Sequence, residues 1–346
     1  MLSAKTITTL GALALGASWA ATTFAQPLKP ADMLSYAVQS ACIDDAGKTT
    51  QALPIEAGCV RSRPQRADDA ASYRKHDWPN DLNYPHQLLG FQASDSVFQR
   101  RKRRTIVVQT FDFGTDGREF GRFDGGHGDG GQAMVVIDGW ASFPMTEDGG
   151  GGVQWFVGEG CKALGTQDTA FKSWLVFRND VQPLKWRSTV ARLNIASGPK
   201  ICPSRFGDAF TRYRLDKIEF PFRIIYSQAV AANVRHELDV VVSEHYGGRD
   251  MRSADHLERF YLAKGLGLVR WERWANGNLK QTAETREAAR MLAKTARCPA
   301  LEAYGAPDDQ WLLADCRTWT TLVRQSRPWS VNNYNWPALN GFGPID

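Results

Sequence analysis

Hydrophobic and polar positions alternate with a period of two along most of the chain between Arg104 and Trp274. TIVVQTFDF, QAMVVIDGWASFPM, VQWFVG, KSWLVFRN, LKWRSTVARLNI, KIEFPFRIIYSQAV and HELDVVVSEHY are β-branched or aromatic runs separated by Gly, Asn or Asp turns. A period of two is what a pleated strand with one buried face requires. The pattern predicts about eight strands or more with no helical repeat between them, and so a mainly β, antiparallel fold: a β-sandwich of jelly-roll type, with a curved barrel as the alternative.

The stretch His236–Trp274 organises the rest. Leu238, Val240 and Val242 alternate into Ser243-Glu244-His245-Tyr246, where Gly247-Gly248 ends the strand. LERFYLA, KGLG and LVRWERW then read as a hairpin, because glycine at two of four turn positions supplies the backbone freedom that a tight reversal needs. Setting Ala263 opposite Leu268 pairs Phe260 with Trp271, Arg259 with Glu272 and Glu258 with Arg273, so that apolar meets apolar and each charge meets its opposite. One face is then Phe260, Leu262, Val269 and Trp271. The other carries Arg259, Tyr261, Arg270, Glu272 and Trp274.

Outside this region PADMLSYAVQSAC, residues 30 to 42, reads as a short helix with Leu34, Ala37, Val38 and Ala41 buried. Lys48–Gln99 holds neither period and is punctuated by proline, which predicts a surface-wrapping segment. QTAETREAARMLAKTARC has the charge bias and apolar stripe of an amphipathic helix, and PDDQWLLADCRTWTTLVRQS reads as a second, with Trp311, Leu312, Cys316, Trp319 and Val323 buried. The expected division is 1–25 signal peptide, 26–103 helix and wrapping segment, 104–278 β-sandwich, and 279–346 helical and irregular extension.

The first 25 residues have a charged start, a short apolar middle and a small-residue exit at Ala25, which predicts export to the periplasm or the medium. No later run is long and apolar enough for a membrane-spanning helix. Cys42, Cys59, Cys161, Cys202, Cys298 and Cys316 are an even number in an export context, which favours disulfides, with sequence neighbours paired as the simplest scheme. A formal net charge of +5 is too mild for a nucleic-acid binder. The dense run Arg100–Arg104 marks either a solvated strand start or contact with an anionic polymer.

Two stretches carry candidate chemistry. FDGGHGDGG places Asp124, His127 and Asp129 in one glycine-rich loop, and alternating carboxylates there can offer oxygens to a structural calcium, with a metal-free hairpin as the plainer account. SEHYGG sets an acid, an imidazole and a phenol at a strand end beside glycines. If Glu244 and Tyr246 share a concave face with Arg259, Tyr261, Arg270, Glu272 and Trp274, that face has two carboxylates, two guanidiniums and aromatic platforms, which suits a sugar polymer. Glu244 and Glu272 are then the candidate catalytic acids of a glycoside hydrolase, and His245, Tyr246, Arg259, Tyr261, Arg270 and Trp274 the substrate-binding set. A lyase would use the arginines against a uronate. The alternative is that Glu272 and Arg259 form a cross-strand ion pair and nothing more. No Gly-x-Ser-x-Gly elbow, Walker loop or His-Glu-x-x-His signature occurs.

RFYLAKGLGLVRWE resembles the aromatic-x-Ala-x-Gly-x-Gly-Leu-Val hairpin of several β-rich exported bacterial proteins, including curved half-barrel lipoproteins. The resemblance spans some fifteen residues and implies β structure alone. A lipid-carrier role does not follow, because Gln26, and not a cysteine that could take a lipid, stands directly after Ala25. The sequence therefore leads to an exported carbohydrate-recognising β-sandwich, with polysaccharide cleavage as its catalytic version. Its alternatives are a non-catalytic exported binding or structural protein and, less favoured, a carrier of apolar ligands.

Overall fold

The alternating stretches become strands, and most of them join one 14-stranded sheet. The computed structural model describes residues 26–65, 69, 73–75, 87–98, 103–113, 131–137, 139–148, 152–156, 174–196, 205–227, 229–278 and 304–324. Helix α1 (Pro30–Ala37) leads into a two-stranded sheet of β1 (Ser40–Cys42) and β2 (Ser62–Pro64). The strands that follow are β3 (Tyr73–Lys75), β4 (Gln87–Phe98), β5 (Arg103–Phe113), β6 (Gly131–Ile137), β7 (Trp140–Asp148), β8 (Gly152–Phe156), β9 (Trp174–Arg178) and β10 (Arg187–Ala196). The long strands β11 (Arg205–Ser227) and β12 (Val230–Tyr246) come next, then β13 (His256–Ala263), β14 (Gly267–Asn276), β15 (Trp311–Thr318) and β16 (Thr321–Val323). The fold is mainly β, as the alternation predicts.

Neighbours in sequence are neighbours in space over two stretches, β3 to β8 and β11 to β15. Strand β11 links them. One of its edges pairs with β12 along nearly its whole length, while the other is taken by β10 over Arg205–Tyr213 and by β16, in parallel, over Arg223–Ile225. Between these two ladders that edge has, among the described residues, the bridge of Leu215 to Pro183, and Pro221, lacking an N–H, falls beyond it, before β16 begins.

The two faces of β12 and β13 are buried in different ways. Val241, Phe260 and Leu262 pack with Met134, Phe143, Val176 and Phe177 of β6, β7 and β9 and with Met33 and Leu34 of α1. On the opposite face Val240, Val242, Tyr261 and Ala263 pack with Phe220 and Phe222 of β11, Leu322 of β16 and Tyr304. A strand covered on both sides must satisfy any polar side chain it carries from within the protein. That requirement shapes the candidate site.

The hairpin keeps most of the expected register: Phe260 faces Trp271, Arg259 faces Glu272 and Glu258 faces Arg273. Near the turn it differs, because Ala263 pairs with Gly267 and Leu262 with Leu268. A bulge between Tyr261 and Leu262 makes Val269 the extra residue, so Val269 joins the Tyr261 face and Leu268 the Phe260 face. Gly267 has φ of +73°, and a Cβ there would lie 3.2 Å from the Ala37 carbonyl oxygen. Glycine is therefore required twice over, by conformation and by the end of α1 against the turn.

Three other expectations change. Helix α1 stops at Ala37, with Val38 extended at φ −137°, and Ala41 and Cys42 belong to β1. The wrapping segment contains β4, whose alternation is interrupted by a bulge between Gln92 and Ser94. Trp311–Val323 forms β15 and β16, not a helix. The open edge of β14 supplies the backbone partners that a strand needs, and a bulge opposite Arg273 and Trp274 interrupts the strict period of β15. The 281–298 helix, the signal segment and the end of the extension beyond residue 324 lie outside the described residues.

Cys42 and Cys59 form a disulfide across a sequence separation of 17. Cys316 is also disulfide-bonded, with its partner outside the described residues. Among the described residues no helix is long and apolar enough to cross a membrane.

Candidate functional site

Strand register builds the site. Arg212 of β11 faces Glu244 of β12, Glu244 faces Arg259 of β13, Arg259 faces Glu272 of β14, and Glu272 faces Cys316 of β15. One transverse row across the sheet therefore reads cation, anion, cation, anion. Residues two positions away stay on the same face by the period of the pleat, which adds Tyr246, Tyr261, Arg270 and Trp274.

The register brings Glu244 and Glu272 onto one face together with Tyr246, Arg259, Tyr261, Arg270 and Trp274. Their accessibility is another matter. Glu244 is 0% exposed and Glu272 1% exposed. Oε2 of Glu244 accepts from Arg212 Nε and from the Tyr246 hydroxyl at 2.7 Å; Oε1 accepts from Arg259 Nε at 2.9 Å and lies 2.8 Å from Arg259 Nη2. Oε1 of Glu272 accepts from Arg270 Nε at 2.6 Å and Tyr261 at 3.1 Å; Oε2 accepts from Arg259 Nη1 at 3.2 Å and Trp274 Nε1 at 3.0 Å. A carboxylate offers about four lone-pair sites, and in both residues all are engaged.

Electrostatics follow from this packing. Burial alone would push the Glu244 carboxyl up, but the Arg259 and Arg212 guanidiniums outweigh it and hold the group below the ordinary carboxylate value. Burial, then the adjacent carboxylates, push the Tyr246 and Tyr261 phenols well above their usual range, so both stay neutral donors. Arg259 sits at the centre, bridging Glu244 and Glu272 and also donating to the Gly305 carbonyl at 3.2 Å.

His245 departs from the expected substrate-binding set. It points to the opposite face, fully buried against Phe143 and Phe260, with Nε2 3.0 Å from Ser243 Oγ. Ser243 in turn donates to the Val176 carbonyl of β9. Burial pushes the imidazole down to about 3. Since the unfolded chain has its ordinary value of 6.5, stability is full above 6.5 and is lost as pH falls toward 3, where the unfolded state takes a proton that the folded state refuses. The expected result is a falling guanidinium unfolding midpoint from pH 7 to pH 5, with a shallower fall in His245→Gln; an identical fall in that variant would rule out this origin.

Residues that the sequence reading missed form the rim of the row. Arg212 and Arg214 both stack on Trp186, at 4.4 Å and 4.7 Å from the ring centre. Arg214 donates to the Tyr304 hydroxyl from Nε and Nη2 at 3.2 Å and 3.1 Å and pairs with Asp216 at 2.9 Å, while Tyr304 also donates to Asp216. The alternating Arg212-x-Arg214-x-Asp216 could have been read as one strand face. Tyr304 has no local signal, being 88 residues from Asp216.

Asp124 and Asp129 lie outside the described residues. Among those described, no three His, Cys, Asp or Glu side chains gather as a metal site would require. No family model, no curated protein and no solved structure matches the chain. The geometry alone defines the class: a mainly β protein with a desolvated charge ladder through its largest sheet.

Proposed function

We propose that the protein is exported and recognises carbohydrate without cleaving it, and that the Glu244–Arg259–Glu272 ladder is structural. The observation that carries this reading is that both carboxylates are buried with every lone pair engaged. A glycosidase acid must reach the glycosidic oxygen, and its partner must reach the anomeric carbon or a water beside it. Neither is open to Glu244 or Glu272 while each is held by two arginines.

The aromatic platforms move for the same reason. Tyr246, Tyr261 and Trp274 are buried, so no sugar ring can stack on them. Half-buried Trp186, with Arg212 and Arg214, is the partly exposed aromatic and cationic surface that adjoins the row through the Arg212–Glu244 pair. Export is supported by the signal-like start and by the Cys42–Cys59 bond. A sandwich is supported by the Ser243 bond to β9 and by the core that β6, β7 and β9 share with β12 and β13. The meander order gives no support to the Greek-key crossings of a jelly roll.

The test incubates the purified protein with neutral and acidic polysaccharides and assays new reducing ends and unsaturated uronates. Retention on a polysaccharide with neither product is expected. Product formation that Glu272→Gln abolishes would restore the catalytic assignment.

A further inference from the structure

We infer that Arg212 and Arg214, mounted on Trp186, form a binding site for an oxyanion, the carboxylate or sulfate of an acidic sugar unit. The inference rests on the carbohydrate-binding reading for the sugar and on the geometry below for the anion.

Arg212 directs Nε into the protein, to Glu244, and among the described residues its two terminal nitrogens meet no acceptor. Its side chain is 16% exposed, against 0% for that of Glu244, so Arg212 stands at the boundary between the buried row and water. Arg214, two residues along the same strand face and 22% exposed, directs Nε and Nη2 to Tyr304 and Asp216 and leaves Nη1 with no acceptor among the described residues. Two guanidiniums on one indole repel each other unless anions are shared between them. Glu244 is already divided between Arg212 and Arg259, and Asp216 serves Arg214, so the rim retains more donors than acceptors. Planar N–H forks of this kind match the paired oxygens of a carboxylate or sulfate.

The platform is held in place at a conformational cost. Trp186 follows a turn in which Leu184, exposed and not glycine, has φ of +56°. Leu184 N–H donates to the Leu215 carbonyl and Leu215 N–H to the Gln182 carbonyl, both at 2.9 Å, clamping the turn onto β11 beside the arginines. Among the described residues, the Asp216 carboxylate, paired with Arg214, is the negative group of the rim that would oppose an incoming anion.

The experiment titrates the purified protein with inorganic sulfate, oligogalacturonate and a neutral maltooligosaccharide by isothermal calorimetry at low and moderate salt. Oligogalacturonate is expected to bind with salt-sensitive affinity and the neutral sugar not to bind at this site. Arg214→Gln and Trp186→Leu should weaken binding at least about tenfold, the scale of one lost charge-assisted pair. Asp216→Asn should tighten it, a gain that misfolding cannot imitate. Sulfate binding with this variant pattern but no oligogalacturonate binding would uphold the anion site and overturn the sugar. Binding of either probe unchanged in all three variants, or no binding of either anion, would overturn the site.

Discussion

Replacing Arg259 with methionine is expected to lower the free energy of unfolding by about 3–5 kcal/mol, the range for removing one member of a buried ion pair. The reason lies in what remains. Glu244 loses two of its donors and Glu272 loses one, and neither can recruit water through the covering layer. Arg259→Lys should recover little, because one ammonium cannot span both carboxylates and the Gly305 carbonyl with the geometry of a guanidinium fork. Guanidinium denaturation at pH 7 measures both variants. A loss below about 1 kcal/mol for Arg259→Met would mean that the row is solvated, as surface ion pairs are.

Phe260→Ala is expected to cost about 3–5 kcal/mol through lost burial and the cavity left behind. Phe260 lies between the layers, its ring 5.4 Å from Phe143 of β7 and 5.1 Å from His245. The same denaturation experiment tests it, and a loss under about 1 kcal/mol would contradict the packing of β6, β7 and β9 on the sheet. Because Phe260 and Arg259 project to opposite faces of β13, the two variants probe the two sides of the sheet independently.

The ladder also has a consequence for folding specificity. A slip of one residue between β12 and β13 or between β13 and β14 would turn Glu244, Arg259 or Glu272 away from its present partners, to the face occupied by Phe143 and Val176. The row therefore penalises the wrong register more heavily than an apolar row would.

Much of this was legible in the sequence. The period of two identified the strands, and charge complementarity across the hairpin paired Arg259 with Glu272 from local information alone. What was not legible was burial on both faces. A row of charges and aromatics on a strand reads as a wet surface unless a second layer is known to cover it, and the covering residue Tyr304 comes from far along the chain. The same limit explains His245: alternation assigned it correctly to the other face, but its depth there depends on Phe143 and Val176, which lie 102 and 69 residues away by their numbering. The bulge at Val269 moved a side chain across the sheet, because one inserted residue defeats a strict period.

The most direct measurement is the unfolding free energy of Glu272→Gln beside the parent protein. A buried carboxylate that organises Arg259, Arg270, Tyr261 and Trp274 should lose at least about 2 kcal/mol when an amide turns N–H groups toward two of those donors. The predicted result is a lower midpoint with an unchanged denaturant slope. Stability equal to or above the parent's, the behaviour of an active-site acid whose strain is relieved by substitution, would contradict the account.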